Sequence, residues 1–213
     1  CGMLAAQKRA TPETVMTAWI SHSQFHLIVF YVTLTVCFAP ELYRSWFRHS
    51  EAGAVNRDRG SHLVVLLTIG AGVFLAIFVA NARLPYTQIT RHQEGAFWLG
   101  IALMLAGFAF RHYAIHVLGK FFTHTVATRP GQYVVDTGPY RLIRHPSYSG
   151  SLLTFVGLGL AMGNWVSIVL LLLGAGIGYA YRVRIEEQTL CADLGQPYRD
   201  YMLRTKRFVP HVW

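Results

Sequence analysis

Charge is scarce in this 213-residue sequence: Asp, Glu, Lys and Arg make up 14% of it, against 53% apolar residues. Soluble domains carry about 25% charged residues. The composition therefore excludes a chain that covers a water-facing surface with polar groups, and it points to lipid. Strand patterning is missing as well. No segment alternates apolar and polar residues with the period of two that a half-buried strand requires. No glycine-rich fingerprint follows a strand, which excludes the familiar dinucleotide and P-loop sites. The three cysteines, Cys1, Cys37 and Cys191, have no CxxC spacing, so neither a disulfide framework nor a thiolate metal site is expected. Acidic residues number only 10 against 19 basic ones, a net charge of +9. The basic residues lie in the gaps between apolar runs, not along one face. Anionic headgroups of membrane lipids, not nucleic acid, are the expected partners.

What is present is a set of five apolar stretches, roughly 22–40, 62–80, 95–118, 147–163 and 165–184. The second holds eighteen uncharged residues, Leu63 to Ala80, enough for a spanning helix. The first is expected to stop at Pro40. Gly163-Asn164 is a turn signal between the fourth and fifth stretches, which read as a helical hairpin. Gly159 with Gly163, and Gly174 with Gly178, give small-xxx-small spacings suited to close helix packing. The expected fold is thus an all-α integral membrane protein of about five transmembrane helices in a single domain, residues 1–213. Residues 1–118 form three N-terminal spans and 119–213 a catalytic region.

The segments 41–61 and 111–148 and the C-terminal tail together hold 15 of the 19 basic residues. By the positive-inside rule the N-terminus lies outside and the C-terminus in the cytoplasm. Two cytoplasmic segments, 123–145 and 185–213, are too polar to be spans, and they are where a site is expected. In the second, Gly195 ends one helix and Pro197 opens a short one.

Two clusters there carry chemistry. In Gly138-Pro139-Tyr140-Arg141-Leu142-Ile143-Arg144-His145-Pro146-Ser147-Tyr148-Ser149-Gly150, Pro146 suits the first position of a helix whose N-terminus favours an anion. Downstream, Arg182 and Glu186 stand four apart on one helix face at the end of an apolar run. Ionisable groups at that depth face a cavity or a pathway more often than lipid. His112 and His116 form an i, i+4 pair without a third ligand at a recognisable spacing, so interfacial hydrogen bonding is expected of them and no metal.

The run Arg144 to Gly150, the Arg182–Glu187 cluster and the ending Leu190, Gly195, Tyr198, Tyr201, Pro210 resemble the isoprenylcysteine carboxyl methyltransferase family and related phospholipid methyltransferases. The resemblance covers roughly residue 120 to the C-terminus. It implies a membrane-embedded enzyme with a cytosolic pocket for S-adenosyl-L-methionine and a lipophilic substrate entering from the bilayer. It further implies cofactor binding by Tyr140, His145, Pro146, Ser147, Tyr148, Glu186 and Glu187. By spacing, Thr125, Gln132, Tyr133, Val134 and Val135 correspond to a further cofactor segment, although Thr125 and Gln132 depart from the family's Gln and His. Arg182 would orient the acceptor and Glu186 would act beside it. The acceptor implied is the carboxylate of a prenylcysteine-like substrate, with a phospholipid amine as the alternative. An NADPH-dependent sterol-type reductase and a non-enzymatic membrane protein are the more distant readings. The expected location is the bacterial inner membrane, or the endoplasmic reticulum in a eukaryote.

Overall fold

The computed structural model describes residues 23–47, 55–56, 58–82, 84, 86–123, 126–128 and 131–209. Six helices make up most of it: α1 Gln24–Phe47, α2 Ser61–Ala82, α3 Gln93–Leu118, α4 Pro146–Ala161, α5 Trp165–Leu194 and α6 Gln196–Arg204. Helix α1, helix α2, the α3 segment Gln93–Phe121 and helix α5 are each long and apolar enough to cross a membrane. The fourth apolar stretch, α4, has only 16 residues. At 1.5 Å per residue it spans ~24 Å, short of a ~30 Å hydrocarbon core. Its hairpin partner α5 has 30 residues and runs ~45 Å, so one end of α5 extends past that core. Four helices of spanning length and one 16-residue helix thus account for the five apolar stretches expected.

Helix α1 also differs from expectation, because it continues through Pro40 to Phe47. Proline costs one backbone hydrogen bond there, a loss that neighbouring helices let membrane helices tolerate. The interhelical contact lies one residue on, where Glu41 receives Arg111 of α3 in a two-pronged ion pair of 2.9 and 3.0 Å. Strand structure among the described residues is confined to a two-residue antiparallel ladder, β1 Val55–Asn56 with β2 Ala127–Thr128, and two isolated bridges.

Helix α3 packs on α4, and α2 packs on α5. Without a hydrophobic force between helices in lipid, close packing has to supply the attraction. On the α3–α4 seam, Gly100 and Gly107 face Gly150 and Gly157, each pair seven residues apart on its own helix. A Cβ at Gly157 would lie 2.6 Å from both the Gly100 carbonyl oxygen and the Met104 amide nitrogen. Of the glycines singled out by spacing, Gly174 and Gly178 meet α2 at Thr68, and Gly159 meets Ile168 across the hairpin. Gly163 does not pack: it has φ +66° in open space and makes the turn itself. Asn164 then caps α5 by accepting from the Ser167 N–H at 3.0 Å.

The seam yields a test. Gly157→Ala is expected to lower thermal stability in detergent by about 1–3 kcal/mol, because the clashing atoms are backbone. Gly176→Ala is the control, since nothing lies within 4 Å of its added Cβ, and it is expected to be neutral or stabilising. Equal unfolding temperatures for the two variants would refute the seam.

Candidate active site

The polar cluster is built where α4 begins and α5 leaves the apolar zone. A 3-10 turn at Gly138–Arg141 leads into it, and Pro146 occupies the first position of α4, where a missing N–H costs nothing. His145 just before it is held outside the helix by the C-terminal segment. The Arg144 N–H donates to the Lys206 carbonyl at 2.7 Å, and the His145 N–H to that of Arg207 at 3.0 Å. The Ser149 hydroxyl adds a 2.6 Å bond to the Phe208 carbonyl. Residues 205–208 therefore run alongside 142–145, and the short helix α6 turns the chain back to reach them. Gly195, at φ +65°, ends α5, and Pro197 sits in the first turn of α6, both as expected.

Within this frame Glu187 is a buried anion held by three groups. Arg144 Nε donates to it at 2.9 Å and Arg207 Nη2 at 2.8 Å, with His145 Nε2 at 3.3 Å. Arg144 also donates to the carbonyls of Met202, at 3.0 Å, and Thr205. The His145 ring stacks on Tyr148 at 5.6 Å between centroids, and Tyr148 stacks on Tyr179 at 4.6 Å. Three rings thus form a column along the α4–α5 contact.

Arg182 and Glu186 share a face, as their spacing requires, but a residue from another helix joins them. Arg182 Nε donates to the Tyr148 hydroxyl at 2.8 Å, and that hydroxyl donates to Glu186 Oε2 at 2.9 Å. The guanidinium is buried, and its Nη1 lies 3.4 Å from Asp58 Oδ1. Asp58 additionally accepts from the Ser61 hydroxyl at 2.7 Å and from the N–H groups of His62 and Val126 at 2.9 and 3.0 Å. Burial alone would raise the Asp58 pKa. The His62, Ser61 and Val126 hydrogen bonds and the Arg182 charge outweigh it and hold the carboxyl below its ordinary range. Asp58 therefore pins three things together: the start of α2, the segment at Val126, and Arg182.

Tyr148, Tyr179, Arg182 and Arg111 close the polar end of a cavity of about 220 Å³. Its other walls are mainly apolar, with Cys37, Phe38 and Leu42 from α1 and Val65, Leu66 and Ile69 from α2, and Glu41, His62, Ser151 and Thr154 add polar groups among them. Leu42 and Leu66 are themselves exposed, so the cavity reaches the outer face of the bundle between α1 and α2.

The structure brings Tyr148, Arg182, Glu186, Glu187 and His145 into one network. Pro146 and Ser147 form the buried start of α4, where the Ser147 carbonyl accepts from Arg111 at 3.1 Å. The Tyr140 ring is buried alongside, and its carbonyl accepts the Tyr201 hydroxyl at 2.6 Å. Tyr133, Val134 and Val135 instead line a second cavity with Leu118, Lys120 and Phe121, and Gln132 is half-buried at its edge in sequence. Thr125 and Pro210 lie outside the described residues. The His112 ring lies tilted against that of Phe108, 4.0 Å between centroids, and its Nδ1 lies 3.0 Å from the Phe108 carbonyl. Two elements escaped the sequence reading, Asp58 and the Glu41–Arg111 pair. Asp58 three residues before Ser61, ahead of an apolar run, is a helix-start signal that marks it. Glu41 had only its position at the end of an apolar run to mark it.

These features define a helical integral-membrane protein with a buried charged cluster at one end of its bundle. Residues 96–196 match the phospholipid methyltransferase family, which bears out the resemblance read from the Arg144–Gly150 run and the Arg182–Glu187 cluster. The chain is 32% identical over 115 residues to protein-S-isoprenylcysteine O-methyltransferase B of Arabidopsis thaliana, covering 53% of this chain and 58% of that protein. It is 27% identical over 198 residues to the protein-S-isoprenylcysteine O-methyltransferase of Saccharomyces cerevisiae, covering 91% of this chain and 78% of the yeast protein. In fold it is similar to the eukaryotic intramembrane Ras methyltransferase ICMT, with a TM-score of 0.54 at 20% identity over 88% of this chain and 64% of that one. The chain thus spans less than two thirds of the length of the plant relative and of the structural neighbour.

Proposed function

We propose that the protein is an S-adenosyl-L-methionine-dependent methyltransferase acting on the carboxylate of a prenylcysteine-like, lipophilic acceptor, with its C-terminus in the cytoplasm. The observation that carries this reading is the Arg182–Tyr148–Glu186 chain at the polar end of an apolar cavity. A cation aimed at the head of a greasy slot suits a substrate with an anionic head and an apolar tail. The slot opens between α1 and α2, so the tail has a route in from the bilayer. The charge distribution along the chain supports the orientation.

The residues fit the cofactor. Glu186 is only partly buried, and after accepting the Tyr148 hydroxyl its carboxylate keeps acceptor positions for an ammonium group. The His145–Tyr148 stack offers a flat aromatic wall beside it. When bound, S-adenosylmethionine supplies an electrophilic methyl group on a sulfonium. Arg182 would hold the acceptor carboxylate, and positioning would supply much of the acceleration. The acceptor carboxylate would reach the site already ionised, so no base would be needed. Tyr148 fixes the guanidinium, and Glu187 acts through His145 and Arg144 by holding the start of α4. Tyr133, Val134 and Val135, with Gln132, are proposed to cover the cofactor from the 119–137 side.

The matched family's description favours a second acceptor, a phospholipid amine, for which Glu186 would take the proton. Methyl transfer from labelled S-adenosylmethionine to N-acetyl-S-farnesylcysteine, but not to phosphatidylethanolamine, in nanodiscs decides between them. The cofactor itself is tested by calorimetric titration with S-adenosylhomocysteine. Saturable binding is expected, weakened about tenfold or more in Glu186→Ala and in Tyr148→Phe. Wild-type protein that is folded yet binds nothing would end the methyltransferase reading.

A further inference from the structure

Tyr198 is a buried tyrosine that none of the roles above uses. It stands on α6, only three residues beyond the Gly195 break, so its position is fixed by the tight turn from α5. The residue is 4% exposed, and its hydroxyl has no hydrogen-bond partner among the described residues. Its neighbour Tyr201, whose ring lies 5.8 Å away, is satisfied by the Tyr140 carbonyl. Burial first, and then the charges of Glu186 and Glu187, push the Tyr198 pKa up, so the phenol stays protonated and lies within electrostatic reach of both carboxylates. A buried hydroxyl without a partner is costly, and phenylalanine would fill the same volume without that cost. The hydroxyl is accounted for when a ligand brings its partner.

Building on the methyltransferase reading, we propose that Tyr198 is a further cofactor-binding residue, its hydroxyl hydrogen-bonding the amino-acid end of S-adenosylmethionine beside Glu186. Glu186 defines which end this is: Glu187 is already neutralised by Arg144 and Arg207, so the partly exposed Glu186 carboxylate receives the ammonium group and leaves the adenosine to the aromatic wall at His145 and Tyr148. The tyrosyl oxygen then serves the same end of the ligand from the opposite helix.

The test is Tyr198→Phe, measured without turnover. Calorimetry with S-adenosylhomocysteine is expected to give about tenfold weaker binding than wild type. 5′-Methylthioadenosine, which lacks the amino-acid end, is expected to bind both proteins equally. The ligand-free variant is expected to unfold at the same temperature as wild type or higher, since an unpaired buried hydroxyl has been removed. Unchanged S-adenosylhomocysteine affinity would overturn the assignment, as would equal losses for the two ligands. Failure of the wild type to bind S-adenosylhomocysteine would instead remove the methyltransferase reading, and this assignment with it.

Discussion

Arg182→Ala is expected to lower methyl transfer by roughly 10²–10³-fold while changing S-adenosylhomocysteine affinity far less, because the group removed acts on the acceptor. The local geometry keeps this variant interpretable. Asp58 loses one partner but retains the Ser61 hydroxyl and two backbone N–H groups. Tyr148 still donates to Glu186, and its stack on Tyr179 is untouched. Asp58 loses its Arg182 counter-charge but stays fully hydrogen-bonded, so the protein should fold. Arg182→Lys is the sharper variant. Lysine keeps the charge but not the planar fork, and it cannot serve Tyr148 through one nitrogen and Asp58 through another. Most of the alanine defect should therefore persist in lysine. Single-turnover transfer of a labelled methyl group, together with calorimetry on the same preparations, separates the two effects. An Arg182→Ala protein with near wild-type turnover would remove Arg182 from the reaction.

The parts of the fold that were legible in the sequence are those written in local signals. Pro146 at the start of α4, the Gly163-Asn164 turn and the Gly195-Gln196-Pro197 break each depend on one or two residues' backbone preferences, and each stands where its preference puts it. Apolar run lengths located the helices but not their ends. Pro40 looked like a stop, yet the Glu41–Arg111 pair carries α1 past it, a contact between residues 70 positions apart. The heptad-spaced glycines at 100, 107, 150 and 157 are meaningful only once α3 and α4 are known to be partners. The site divides the same way. That Arg182 and Glu186 share a face follows from helical pitch. That Tyr148 stands between them, and that Asp58 backs the guanidinium, follows from tertiary packing and has no local trace.

Glu187→Ala is expected to have the largest effect on stability, a loss of about 3–5 kcal/mol, because it strands the buried Arg144 cation. Arg144 and His145 are almost wholly buried, and both converge with Arg207 on this one carboxylate. Together they staple residues 205–208 against 142–145, the backbone pairing that fixes His145 ahead of Pro146. Without the anion, Arg144 keeps its carbonyl partners at Met202 and Thr205 but loses its counter-charge. The segment should then open locally before the bundle melts, since the α3–α4 and α2–α5 seams do not involve it. Hydrogen exchange reads this directly: the Arg144, His145 and Lys206 amides should lose protection while those of α3 keep theirs. Cofactor affinity should fall with them, because His145 and Tyr148 take their positions from that start. Glu187→Gln, which keeps the shape and two acceptor positions but not the charge, should fall between wild type and alanine. Unchanged exchange at those three amides in Glu187→Ala would mean that packing of α6, not the ion network, holds the C-terminal segment in place.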